Sequence, residues 1–441
     1  MTAMIELPAE IWLHVLQYLD DELVRGRGYR LHEVSSVFLQ VALDRRYRAL
    51  KVTDITPRSI LRIRRLADPA IARRVRSLTL APHLGRARGM PAVGHGAAMS
   101  IFGLVGGFLG QAAPSGQQLA TIMNEWLEIV VRLLPLLSSL DTFGLETNML
   151  DAQIDIQPLT SCVWQSPCIR VTELRLSSNV EGYVSLFKTS PRMPVLERLR
   201  LGFLGSERPN PDDAHALVTC IAPFVNRHAG RLQVLRVSFF TLLHQLDMAP
   251  FFDALGPFPS LHTCAFHARF ADTMLSKPDG LVRLLCTPSL RTVQLCASSG
   301  PGSRRTWAAN EITEAQLADF ICCLADEESA LRSVDTLDIC PAMSPAGMSA
   351  LRRLLARLAP TLSTLRVREH HFMAEEMKML VGAVPALNEL AVCVRALTID
   401  LFDVLPVAFP GLKKLILQVE NAVSSPATRV SMSPARLSGA C

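Results

Sequence analysis

Eleven times the chain returns to one six-residue pattern: apolar, two variable residues, apolar, one variable residue, apolar. The units start at Val75, Leu140, Val171, Leu196, Leu232, Leu261, Leu290, Val334, Leu362, Leu387 and Leu412. From Leu140 onward the starts lie 31, 25, 36, 29, 29, 44, 28, 25 and 25 residues apart. One such hexad means little in a Leu-rich protein, but a series at these intervals marks an internal repeat. Residues two apart on a strand point to the same side. In VTELRL, Leu174 and Leu176 therefore face one way, and Glu173, Arg175 and Ser177 the other. Between hexads lie amphipathic stretches. In MSALRRLLARLAP, Leu351, Leu354, Leu355 and Leu358 fall at helical steps of three and four. A strand followed by a helix cannot bury its apolar side alone, so each unit must stack on its neighbours.

Pattern and period resemble a leucine-rich repeat, although the Asn that follows the strand in many such repeats is absent. The expected fold is α/β: a leucine-rich-repeat solenoid, parallel strands on one side and helices on the other, over residues 51–420. A Gly- and Ala-rich insertion is expected at about 83–118, and a disordered Ser/Pro/Ala-rich tail at 421–441.

Residues 1–50 break the pattern. In LPAEIWLHVLQYL, Pro8 suits a first helical turn, and Ile11, Trp12, Val15, Leu16 and Leu19 form a wide apolar stripe. A second stripe follows in LHEVSSVFLQVAL, with Val34, Val37, Phe38 and Val41. Such short helices need partners to be stable. The segment resembles an F-box, a small all-α domain, through Leu7, Pro8, Glu10, Ile11, Val15, Leu16, Tyr18, Leu19, Val34, Ser35, Phe38, Leu43, Tyr47 and Leu50. The stretch from Leu19 to Val34 is a few residues longer than the family pattern. The resemblance implies a substrate receptor of an SCF-type (cullin–RING) ubiquitin ligase. Leu7, Pro8, Ile11, Trp12, Val15, Leu16, Leu19, Val34 and Phe38 would dock on a Skp-type adaptor and through it on a cullin. The solenoid would hold a protein substrate. The alternative is a leucine-rich-repeat scaffold whose residues 1–50 only cap the array.

The strand positions that face away from the core form the natural reading surface. There Arg175, Arg200 and Arg236 come from consecutive units, with Arg198 and Arg368 beside that column and Arg366 further along it. Guanidinium groups on adjacent strands disfavour one another. An acidic or phosphorylated substrate would relieve this by bidentate pairing, whereas a solvated surface is the plain alternative.

No catalytic constellation or cofactor motif is present, so the sequence points to a protein that is not an enzyme and needs no cofactor. The densest candidate is REHHFMAEE. On a helix, His371 and Glu375 would share a face, yet no third metal ligand is visible. Formal net charge is only +5, and the Arg-rich run from Arg58 to Arg76 lacks aromatics for base stacking, so no nucleic-acid partner is expected. That run reads instead as a cap on the first repeat, with Leu61, Ile63, Leu66 and Ile71 turned inward. No apolar run reaches membrane-spanning length. The 11 Cys show no CxxC pair, and reduced thiols fit an intracellular protein, cytoplasmic or nuclear. Only six of the 45 basic residues are Lys, a scarcity that would limit self-modification of a ligase receptor and that codon bias explains equally well.

Overall fold

The computed structural model describes residues 11, 14, 36–54, 57–83, 116–147, 156–165, 170–188, 193–204, 212–239, 246–267, 275, 277–296, 311–340, 344–373, 376–377, 380, 382–395, 397, 401, 405 and 409–419. The chain divides into two compact units, Met1–Arg175 with Pro191–Val195, and Leu176–Ser190 with Leu196–Cys441. Strands take their sheet order from the chain, β1 through β12. The described pairings are all parallel.

In the first unit helix α1 (Ser36–Tyr47) leads into β1 (Ala49–Asp54), followed by α2 (Pro57–Arg64) and β2 (Ser77–His83). Helix α3 (Gly116–Leu133) precedes β3 (Thr142–Glu146), and α4 (Gln157–Gln165) precedes β4 (Glu173–Ser178), of which Glu173 to Arg175 belong to this unit. Every hexad start here, Val75, Leu140 and Val171, is buried, as are the paired apolar positions of each strand.

β1 is a coil that the hexad search passes over. Tyr47, Leu50 and Val52 occupy its three apolar positions and are buried, and Leu50 and Val52 pair with Leu78 and Leu80. Tyr47 and Leu50 belong to the F-box-like pattern, yet here they fill the core of the first coil. The pattern escapes notice because an aromatic stands where other units carry Leu or Val. The Arg58–Arg76 run is also corrected in part. Ile63 and Leu66 are buried, but Leu61 is 60% exposed, because α2 turns its other face to α3.

The second unit holds α5 (Val180–Phe187), β5 (Arg198–Phe203), a helical stretch ending in α6 (Ala222–Arg227), β6 (Val234–Phe239), α7 (Ala249–Ala254) and β7 (Thr263–His267). Then come α8 (Asp279–Leu285), β8 (Thr292–Cys296), α9 (Glu311–Asp326), β9 (Thr336–Ile339), α10 (Pro345–Leu358), β10 (Thr364–Phe372), β11 (Glu389–Val394) and β12 (Lys414–Val419). Helix α10 shows why these residues form these elements. Ser344 caps it by accepting from the Gly347 N–H at 3.1 Å, Pro345 stands at the first turn, and Leu351, Leu354, Leu355 and Leu358 bury one face. From its last turn Arg357 donates to the carbonyls of Leu324, Ala325 and Ala330 at 2.7, 3.0 and 2.9 Å, closing the open end of α9.

With no Asn at the strand end, the coils are joined by a backbone device. The carbonyl of the second hexad residue accepts two N–H groups from the next coil. Gln233 O takes His262 N and Thr263 N at 2.8 and 3.0 Å. The same pair recurs at His262, Arg291, Asp335, Ser363 and Asn388 in this unit, and at Arg48, Arg76 and Asp141 in the first. Its presence at Arg48 identifies β1 as a true coil. Asn226 adds a side-chain link, donating to Ala254 O and accepting from Gly256 N, each at 2.8 Å.

Several sequence expectations fall outside the described residues: Leu7, Pro8, Trp12, Val15, Leu16, Leu19 and Val34, the side chain of Phe38, residues 84–115 of the insertion, and the tail 421–441. The insertion's expected ends shift slightly, since β2 runs to His83 and α3 begins at Gly116.

Candidate protein-interaction face

Parallel register carries the middle hexad residue of each coil into one column. In the second unit Arg200 pairs with Arg236, Arg236 with Ala265, Ala265 with Gln294, Gln294 with Asp338, and Asp338 with Arg366. The column continues through Ala391 to Ile416. Neighbouring strands lie about 4.8 Å apart, so the like charges of Arg200 and Arg236 meet directly. Arg198 and Arg200 take part in further contacts within the protein. The Nε of Arg236 is buried and finds no acceptor among the described residues.

Three of the six Arg expected to read a substrate hold carboxylates of their own chain. Arg368 grips Asp338 with two bonds of 2.7 and 2.6 Å; Asp338 is 1% exposed and Arg368 52%. Arg366 and Lys414 share Glu389, at 2.9 and 3.2 Å. Burial works to raise the Glu389 carboxyl, but hydrogen bonds from Lys414 and Arg366 outweigh it and hold the group below the usual carboxylate range. In the first unit Arg175 pairs with the buried Glu173 at 2.7 Å. These partners were open to detection, because Asp338 and Glu389 occupy variable hexad positions of VDTLDI and LNELAV. Aligning the hexads side by side sets Asp338 opposite Arg366 and Glu389 opposite Lys414. Searching for Arg alone left them out.

His267 sits at the end of β7, in register with Ser238 and Cys296. Burial lowers its pKa, with Arg236 and Arg368 acting the same way against Asp338 and Gln294. Its imidazole is therefore neutral at neutral pH, and the face carries Arg200 and Arg236 on β5 and β6 and the pairs of Asp338 and Glu389 on β9 to β12. Such an arrangement presents guanidinium donors in a row, a surface suited to pairing with acidic groups.

The histidine-rich stretch is extended, since His370 and His371 both lie in β10. His370 Nε2 is 3.2 Å from Glu376 Oε2. Among the described residues no group of three ligands could hold a metal. The nine described cysteines are free thiols, and burial pushes Cys264 up to about 12. No described helix is long and apolar enough to cross a membrane. At the other end of the chain, residues 11 and 14 are helical and Ile11 is 48% exposed. Leu39 of α1 is exposed as well.

Chain-ordered parallel strands, helices between them and a recurrent coil-to-coil ladder define the leucine-rich-repeat class of α/β solenoid. The protein has that fold. No family model matches the chain, and no curated protein matches it. Among solved structures it is similar to TLR13 in a complex with ssRNA13, at 14% identity over 84% of this chain, with a TM-score of 0.33. The chain spans only 41% of that TLR13 chain. It is also similar to the complex of Rad7 and Elc1 in yeast, at 13% identity over 76% of this chain and 90% of the other, with a TM-score of 0.35. At these values neither likeness carries an argument about function.

Proposed function

We propose that this chain is the substrate-recognition subunit of an SCF-type ubiquitin ligase, working in the cytoplasm or nucleus. Its F-box-like segment docks on a Skp-type adaptor and through it on a cullin, and its repeats hold a protein substrate. The chain itself makes and breaks no bond, so it is not an enzyme; it acts by raising the substrate's effective concentration near the conjugating machinery. The observation that carries the reading is Ile11, a helical apolar residue of the F-box-like segment that leaves 48% of its surface uncovered. On the repeats, the substrate's acidic or phosphorylated group pairs with Arg200 and Arg236, where two guanidinium groups meet in register.

The scaffold reading keeps one observation in its favour. Tyr47 and Leu50, two residues of the F-box-like pattern, are buried in the first coil, as a simple cap would require. Co-purification of the full chain with a Skp-type adaptor separates the two. Capture is expected, with loss on Ile11→Glu and on the double change Leu7→Ala, Pro8→Ala. A chain that never captures the adaptor is a capped scaffold. Arg200→Glu with Arg236→Glu should abolish substrate capture and leave adaptor binding intact.

A further inference from the structure

The Arg58–Arg76 run has a role that capping the first repeat does not explain. Asp44 of α1, Arg48 at the entry to β1, Arg73 and Arg74 after the short helix Pro69–Ala72, and Arg76 before β2 line an open cleft of about 500 Å³, with Asp44, Arg48, Arg73 and Arg76 exposed. Four guanidinium groups and one carboxylate thus line a single space. Arg74 claims that carboxylate. Its side chain is only 10% exposed, ion-paired to Asp44, and it donates to Ala70 O at 2.9 Å and to Gln40. Arg76 lies 3.8 Å from Asp141 in an exposed, solvent-screened pair. Among the described residues neither Arg48 nor Arg73 has a side-chain hydrogen bond or an ion-pair partner.

Gathering these cations is unfavourable unless an anion joins them. The negative end of α1 offsets part of the charge, but among the described residues Asp44, the one carboxylate lining the cleft, is already paired with Arg74. The volume falls within the range of small-molecule sites. Guanidinium forks match phosphoryl oxygens two at a time, and three such forks around one space exceed what a single phosphate can engage. We propose that this cleft binds a compact polyanion carrying two or more phosphoryl groups, clamped by Arg48, Arg73 and Arg76 against the fixed Arg74. Such a ligand would tie α1 to the first two coils. The proposal stands apart from the ligase reading, since adaptor and substrate capture can fail while this site binds, and the reverse.

Calorimetric titration of the full chain with orthophosphate, pyrophosphate and tripolyphosphate at matched ionic strength tests it. Affinity is expected to rise about fivefold or more with each phosphoryl group. Arg48→Glu with Arg73→Glu should weaken tripolyphosphate binding at least tenfold, about one unit in log K. Arg62→Glu with Arg65→Glu, exposed residues of the same run outside the cleft, should leave binding within about twofold. Arg48→Lys with Arg73→Lys keeps the charge and loses the forks, so an intermediate loss is expected; it also serves if the Glu variant does not fold. Equal affinity for the three anions overturns the proposal, as does equal weakening by both Glu variants, which is the mark of general attraction. Citrate binding as tightly as tripolyphosphate would overturn the phosphoryl assignment.

Discussion

Gly280 shows how closely the second unit is packed at single residues. It is buried in α8, and a Cβ built there would stand 2.6 Å from Asp253 N and 2.6 Å from Phe252 C, both backbone atoms of the preceding coil. Alanine is the better helix former by about 1 kcal/mol, whereas overlap with unyielding backbone costs about 1–3 kcal/mol. Gly280→Ala is therefore expected to lower the melting temperature, and a rise would mean that the coils can separate there without loss. His228 is buried too, its Nδ1 2.9 Å from Phe224 O. Burial, with Arg227 nearby, lowers its pKa against the opposing pull of that carbonyl. The unfolded chain therefore takes up this proton first. Stability is expected to fall as pH drops below about 6.5, and His228→Gln should flatten the dependence in urea melts run from pH 7.5 downward. His267, shifted in the same direction, adds to the slope and should leave a residual dependence in that variant.

At the scale of elements, charges on adjacent strands are matched as deliberately as apolar side chains. Asp338 on β9 is buried and held from β10 by Arg368, with Cys296 Sγ of β8 at 3.6 Å. Removing the Arg alone strands a buried carboxylate. Breaking a buried pair from one side costs about 3–5 kcal/mol; with Arg368 half in solvent and Arg366 in register nearby, about 2 kcal/mol is expected for Arg368→Ala. Adding Asp338→Asn should restore much of that loss in a double-mutant cycle. Independent, additive effects of the two changes would show that the contact contributes nothing. Arg366 and Arg368 hold neighbouring strands together through Glu389 and Asp338.

At the scale of the molecule, each coil depends on the next for cover. Among the described residues no strand follows β12, and Leu415, Leu417 and Val419 are only half-buried, where the equivalent residues of β11 are buried. Amide exchange in β12 is expected to be the fastest of the strands in the second unit, and protection equal to that of β8 would show that something else covers this edge. Much of this organisation was legible in the sequence. All eleven hexads form strands, and the column of middle residues runs in register as spacing predicts. The twelfth coil was missed because Tyr47 stands in a Leu position. Asp338 and Glu389 were missed as partners because they lie 30 and 23 residues from their Arg in the chain, whereas Glu173, two residues from Arg175, was legible as local compensation. Leu61 was misplaced because a helical stripe does not say how wide a face its neighbour covers.

The sequence by itself determined the repeat, the alternation of buried and outward residues and hence the solenoid class, because side-chain period and coil length are local properties of the chain. Only the tertiary structure decided which Arg are neutralised, that Arg48, Arg73, Arg74 and Arg76 line one cleft, and that Tyr47 opens the first coil. Those outcomes depend on which strand or helix end lies beside which. That is set by packing between residues distant in the chain, where no local pattern records the distance between two charges.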